Sequence, residues 1–352
     1  MKKNVLYVLE NEESASCRYR VKNVVDAMEG NNKYVVRYRN KLELDDLDFD
    51  ELQLIVIERQ TSKDGAIVKI MKKAQESGIK VLFDLDDLVF DYRDLGLIQR
   101  SVQEKNLLYW AGYIWGIRRI AKIVDGFVCT NGFLAGKLKR SFGKPVKVIR
   151  NSLNREQVEV SGKLVEKRSS KKNGEFVVGY FSGSPTHKKD FELAEPGLLN
   201  LMKVHDDAKL KVVGYMKFSD EMQKMVETGR VEVVEVVDYL KLQELISKVD
   251  VNIAPLVVND FTNSKSELKF FEAGVVETTT IASPAYAFRN AIIDGENGFL
   301  AEPDEWLDKL EYLYQNPEEN RKIALRAKKD ALKHYYGKEF VEEVEEAYGY
   351  FA

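Results

Sequence analysis

The chain has 352 residues, 44% hydrophobic and 32% charged, which supports a sizeable core in two domains and excludes a disordered tail or a disulfide-stapled miniature. Lys and Arg total 54 against 57 for Asp and Glu, a formal net charge of -3, so no global field points to nucleic acid and any anion site must be local. Cys17 and Cys129 are far apart, without metal-ligand spacing, and read as buried thiols of a reducing, cytoplasmic compartment.

The N-terminal apolar run is too short for a signal peptide and reads as a first strand. Short apolar runs at 5–9, 34–38, 52–57, 80–83, 126–129 and 146–149 alternate with helical patterns at 16–28, 62–77, 99–123 and 132–142. The alternation predicts a parallel sheet in a first Rossmann-like domain over 1–151. The apolar-rich stretch 107–124 is broken by Gly112, Gly116, Arg118, Arg119 and Lys122, whereas a membrane span needs about 20 largely uncharged residues. Two readings stand for it: a core helix with a solvated basic end, or a helix whose Trp110, Tyr113 and Trp115 rest on a membrane surface.

After Asn151 the periodicity lapses, and 152–174 reads as a linker with the basic run 167–172 inside it. A second alternating series, with strands at 176–181, 210–213, 231–234, 251–254, 279–282 and 298–300, predicts another Rossmann-like domain over 175–336. The last segment, 337–352, carries Phe340, Val341, Val344, Ala347, Tyr348 and Phe351 at helical spacing, so one face must be covered. It is expected to cross back to the first domain.

Ligands of doubly wound sheets bind beyond the C-terminal strand ends. One such place is Asn263-Ser264-Lys265-Ser266-Glu267-Leu268-Lys269-Phe270-Phe271-Glu272. Ser264 with Glu267 has the form of a capping box, which predicts a helix start with free N–H groups for an anion. Lys265, Lys269 and Glu272 then share one stripe, with Glu272 roughly 10 Å from the start. A carboxylate there could accept both ribose hydroxyls of a nucleotide; the bland alternative is an ordinary capped helix with a solvated Lys-Glu stripe.

Together with Thr280-Ile281-Ala282-Ser283-Pro284, this stretch resembles the nucleotide-binding segment of family 4-type, group 1, GT-B glycosyltransferases. The resemblance implies an α/β, GT-B fold: two Rossmann-like domains facing a central cleft. It also implies a Glu-x7-Glu pattern whose second Glu, here Glu272, binds the ribose, while backbone amides over Ser264, Lys265, Ser266, Glu267 and Leu268 hold the diphosphate. Ser264 stands at the first Glu position, and Glu277-Thr278-Thr279 replaces the usual Gly-x-Pro.

Four further places carry candidate residues. The turn Ser182-Gly183-Ser184-Pro185-Thr186-His187-Lys188-Lys189 follows a strand; Gly183 permits close backbone approach, Ser184 and Thr186 offer hydroxyls, and Lys188 or Lys189 can neutralise phosphate. It resembles the Ser-Gly-Thr-x-Thr-His turn of a subgroup of the same family, and His187 reads equally as a cap or a substrate contact. After the first strand, Ser14 and Ser16 are possible N-caps, and Arg18 and Arg20 near a helix start call for an anion or a carboxylate, with Arg18 or Arg20 expected to face the interdomain cleft and bind a ligand anion. After the fourth strand, Asp84, Asp86 and Asp87 crowd together. They could form a metal site, but the resemblance implies a metal-free reaction and places the segment near the acceptor or donor sugar. Asp86 and Asp87 are the expected replacements for a first-domain histidine that this chain lacks. By position in the resemblance, Gly214 and Tyr215, with Val237-Asp238-Tyr239, lie near the base, and Arg150-Asn151-Ser152 resembles the hinge.

The function implied is a retaining glycosyltransferase with a nucleotide diphosphate sugar as co-substrate and a glycan, lipid-linked or protein acceptor. No cofactor, metal or nucleic acid is expected, and the location is cytoplasmic, with the inner face of the membrane as a possible surface. Rival readings are a nucleotide-sugar epimerase of the same architecture and a non-catalytic partner subunit.

Overall fold

The computed structural model describes residues 2–44, 47–62, 65–102, 105–167, 174–182 and 188–352. The chain divides into two compact units, one built from residues 1–154, 263–266 and 335–352, the other from 155–262 and 267–334.

The first unit holds β1 (Lys3–Leu9), β2 (Tyr34–Asn40), β3 (Leu52–Glu58), β4 (Lys80–Leu85), β5 (Gly126–Cys129) and β6 (Val146–Val148), in the parallel order β2-β1-β3-β4-β5-β6. The strands β1, β3, β4 and β5 are near-continuous apolar runs because both faces are covered. On one face Val5, Tyr7, Leu54, Val56, Leu82 and Val128 pack with the helix Lys338–Phe351 through Phe340, Val344, Ala347 and Tyr348. The Tyr348 hydroxyl donates to that of Tyr7 at 2.9 Å, and Gly126 leaves the room that the Phe351 ring occupies. On the other face Phe83 and Phe127 are neighbours, and Phe127 stacks on Phe142 of the helix Gly132–Phe142.

The second unit holds β7 (Phe176–Phe181), β8 (Ala208–Val213), β9 (Val231–Val234), β10 (Val251–Ala254), β11 (Thr279–Ala282) and β12 (Phe299–Leu300), in the order β12-β11-β10-β7-β8-β9. Counted within the unit, this is the 3-2-1-4-5-6 order of dinucleotide-binding sheets, whose ligand crevice lies where the order reverses. That point is between β7 and β10. The core beneath it is made by Val178, Tyr180, Phe191, Val212, Ile253, Trp306 and Leu310.

The structure corrects four local expectations. Residues 155–166, read as linker, form the helix Arg155–Glu166, which buries polar Gln157 and Ser161 and so shows no apolar stripe. The pattern at 16–28 is a helix interrupted by a π-turn, Arg18–Lys22, which turns Arg20 inward. The pattern at 99–123 is two helices, Leu95–Ser101 and Leu107–Ile123, the second capped by the Asn106 side chain on the Tyr109 N–H. The helix expected to open after Ser264 starts at Leu268 and runs to Gly274; Glu267, its N-cap, makes no side-chain capping bond.

Candidate functional site

At the switch point of the second unit, Asn252 on β10 donates its amide to the Lys269 carbonyl at 3.1 Å and to Thr280 Oγ1 at 3.0 Å. This fixes the helix Leu268–Gly274 against the strand ends. Lys269 Nζ lies 4.7 Å from the centre of the Tyr180 ring, near the end of β7. Burial pushes its ammonium down to about 8, against the opposing pull of Asp190 and Glu272. Glu272 sits one turn further on and is buried, and its carbonyl accepts from Gln243 Nε2. With the helix starting at Leu268, Glu272 is only about 6 Å from its first residue, and Lys265 is not on the stripe with Lys269 and Glu272. Lys269 was read from the sequence on the stripe with Glu272 but was not among the residues expected to bind. Its i, i+3 relation to Glu272 was the available signal.

Gly214 adopts φ +103, and a Cβ there would collide with the Ser182 carbonyl. Only glycine lets the end of β8 pass so near Ser182 at the end of β7, where the Ser182 N–H donates to the Val213 carbonyl at 2.9 Å. Tyr215 next to it is exposed. Lys188 and Lys189 open the helix Lys188–Val204 on its solvent side, Lys188 being 3.6 Å from Glu192. Asp190 accepts from the Val257 N–H at 2.8 Å. Gly183, Ser184, Thr186 and His187 lie outside the described residues.

The first unit gathers a second polar cluster at its strand ends. Arg20, expected to meet a ligand anion, is instead 1% exposed and bidentate to Asp84, at 3.0 Å through both Nε and Nη2. Its Nη1 donates to the Ile149 carbonyl and Asn151 Oδ1 at 2.6 and 3.1 Å, so the guanidinium is consumed by the fold. Arg18 places its guanidinium over the Tyr19 ring at 4.6 Å. Asp86 and Asp87 also have protein partners: Arg59 Nη1 lies 3.1 Å from Asp86 and 2.7 Å from Asp87, and Ser16 Oγ donates to Asp86 at 2.7 Å. Lys265, expected at a diphosphate, pairs with Asp87 at 2.5 Å.

Burial disfavours the Asp87 carboxylate, but Lys265 and then Arg59 overrule it and hold it well below the usual carboxylate range. The segment 263–266 is stitched into this unit by Asn131, whose amide donates to the Asn263 and Lys265 carbonyls, and by Asn151, which donates to Ser266 Oγ at 2.8 Å. Ser264 is buried. Among the described residues no three His, Cys, Asp or Glu side chains gather as a metal site.

Glu58, at the end of β3, is 6% exposed. Burial first, and the Asp86 charge second, push it up to about 7 from 4.5. The native state therefore holds this proton between about pH 4.5 and 7 where the unfolded chain releases it, so stability is lost as pH rises through that window. Glu58→Gln, which keeps the acceptor for Ser16, should gain about 2–3 kcal/mol over the wild type at pH 8 and almost nothing at pH 4, measured by urea unfolding. An equal effect at both pH values would contradict the assignment.

Residues 177–316 match the family model described as glycosyl transferases group 1. Over this segment the chain is similar to group 1 glycosyl transferases. The match covers the second unit's β7, β10 and the Lys269-Glu272 helix. Solved structures of similar fold extend the likeness over the whole chain. Anabaena Alr3699/HepE in complex with UDP and glucose is 14% identical, with TM-score 0.64 over 99% of this chain and 100% of that one. Sucrose-phosphate synthase from Thermosynechococcus elongatus is 13% identical, with TM-score 0.65 over 99% of each. A glycosyltransferase from Rickettsia africae is 12% identical, with TM-score 0.65 over 99% of this chain and 98% of that one. At such identity these show the fold, which is GT-B. No curated protein matches by sequence.

Proposed function

We propose that this chain is a glycosyl transferase that takes its sugar from a nucleotide diphosphate sugar held at the β7–β10 switch point of the second unit, with Glu272 accepting the ribose hydroxyls and Lys269 facing the diphosphate. The observation that carries the reading is the buried Glu272 one turn beyond a desolvated Lys269, at the crevice position of a 3-2-1-4-5-6 sheet matched to this family. The structurally similar Anabaena protein binds UDP and glucose, which makes UDP the first nucleotide to try. Lys188 and Lys189 complete the cradle in this proposal, and Gly214 and Tyr215 lie toward the base.

The acceptor is a hydroxyl of a glycan, lipid-linked or protein acceptor, and the reaction retains the anomeric configuration without a metal. The acceptor oxygen bonds to the anomeric carbon as the bond to the diphosphate oxygen breaks, and the acceptor proton passes to the departing phosphate. Charge develops on that diphosphate, so fixed cations beside it supply the main rate enhancement.

Lys269 provides the test. Its ammonium is largely charged at pH 7 and largely neutral at pH 9, while the terminal phosphate of UDP is ionised throughout this range. The dissociation constant for UDP should therefore rise about tenfold from pH 7 to pH 9, and should stay flat in Lys269→Arg. A wild-type constant independent of pH would remove Lys269 from the diphosphate site. Absence of binding by UDP, GDP and dTDP alike would favour the non-catalytic partner subunit.

A further inference from the structure

The helices Gly65–Glu76, Leu95–Ser101, Leu107–Ile123 and Gly132–Phe142 cover one face of the first unit's sheet. Leu107–Ile123 packs against its neighbours on either side: the two preceding helices, and, through Arg118 at 5.1 Å from the Phe142 ring, the following one. Three of the four carry three Lys or Arg each and the remaining one carries one, while Glu76 is the single acidic residue among them. In a chain of net charge -3, that is a marked segregation of positive charge onto one layer.

The outward stripe of Leu107–Ile123 is also apolar at one end. Residues 108, 112, 115, 119 and 122 fall on one face, which reads Leu108, Gly112, Trp115, Arg119, Lys122. Leu108 is 83% exposed and Trp115 52%, with Leu107 and Tyr109 exposed beside them. Arg119 covers the Trp115 ring at 4.8 Å and Lys105 approaches Tyr109 at 5.7 Å. Exposed Leu and Trp flanked by cations, without acidic residues on the helix, is the composition of an interfacial element. Among the described residues no helix is long and apolar enough to cross a membrane.

We propose that this helical layer docks on an anionic phospholipid surface, with Leu108 and Trp115 entering the headgroup region and the Lys and Arg side chains facing lipid phosphates. The surface is distinct from the nucleotide site in the second unit and does not depend on that reading. A second copy of the chain is disfavoured as occupant, because a two-fold contact through this layer would set like charges against each other. A soluble polyanion would satisfy the charge and leave Leu108 and Trp115 in water.

The chain supplies its own probe. Of its three tryptophans, Trp110 and Trp306 are buried and Trp115 is exposed, so an emission change on adding vesicles reports this helix. Phosphatidylglycerol vesicles should blue-shift the emission saturably, and phosphatidylcholine vesicles should not. By co-sedimentation with the anionic vesicles, Arg119→Glu/Lys122→Glu and Leu108→Ser/Trp115→Ser should each bind about tenfold more weakly or worse, with unchanged thermal melting. No shift with phosphatidylglycerol, or binding that survives both double variants, would overturn the proposal. So would a vesicle-free dimer in sedimentation velocity that Leu108→Ser dissociates, or heparin bound as tightly as the anionic vesicles without any shift in emission.

Discussion

Arg20→Met should destabilise the first unit by about 3–5 kcal/mol, the cost of leaving a buried charge without its partner. Arg20 and Asp84 are each 1% exposed, and the guanidinium also satisfies the Ile149 carbonyl and Asn151 Oδ1. Even with Arg20 present, burial pushes the Asp84 carboxyl up to about 6. Without it, Asp84 would take up a proton near neutral pH and two further acceptors would lose their donor. The Arg20→Met/Asp84→Leu double variant should recover a large part of the loss, because the penalty lies in the orphaned group rather than in the absent pair. Urea unfolding at pH 7 measures both. A single variant within about 1 kcal/mol of wild type would mean that Arg20 is not integral to the fold and is available to a ligand.

The strands were the most legible part of the chain. The ends of β5, β7 and β10 coincide with apolar runs bounded by turn residues, because a strand buried on both faces has little polar composition of its own, and those of the part-exposed β9 and the Thr-rich β11 coincide as well. The helix Gly132–Phe142 was equally plain: Asn131 caps its start through the Leu134 N–H, and Gly143 ends it at φ +67. Periodicity failed where a helix buries polar side chains, as Gln157 and Ser161 do. It failed also at Ser264 and Glu267, whose capping-box spacing is local while their structure is decided by long-range contacts: Ser264 is buried in the first unit, and the helix waits until Leu268.

The polar sites divide along the same line. Glu272 was singled out by the family resemblance, whereas the spacing that set it two turns into a helix opening at Ser264 fails because the helix begins at Leu268. The partnership of Arg20 with Asp84, and of Arg59 with Asp86 and Asp87, spans three strand ends and has no local pattern to announce it. Glu277 lies between these cases. The resemblance places glycine there, and the structure holds Glu277 at φ +56, a conformation glycine adopts freely, with its carboxylate 2.9 Å from Lys328 Nζ.

Glu272→Ala should reduce nucleoside diphosphate affinity by about 100- to 1000-fold, the largest effect expected at the donor site. One carboxylate accepting two ribose hydroxyls makes two charge-assisted hydrogen bonds, each contributing about 1.5–3 kcal/mol. The side chain is buried near the end of a seven-residue helix whose other buried members are Phe270, Phe271, Ala273 and Gly274, so Glu272→Gln, which keeps the volume, separates lost recognition from lost packing. It should retain the wild-type melting temperature and still lose at least about tenfold in affinity. Calorimetric titration of the wild-type protein with UDP, GDP and dTDP, repeated on Glu272→Ala and Glu272→Gln, tests the donor site most directly. Saturable binding of one nucleotide, weakened in both variants, is the result expected; equal binding by wild type and variants, or no binding of any of the three, would contradict a donor site built on Glu272.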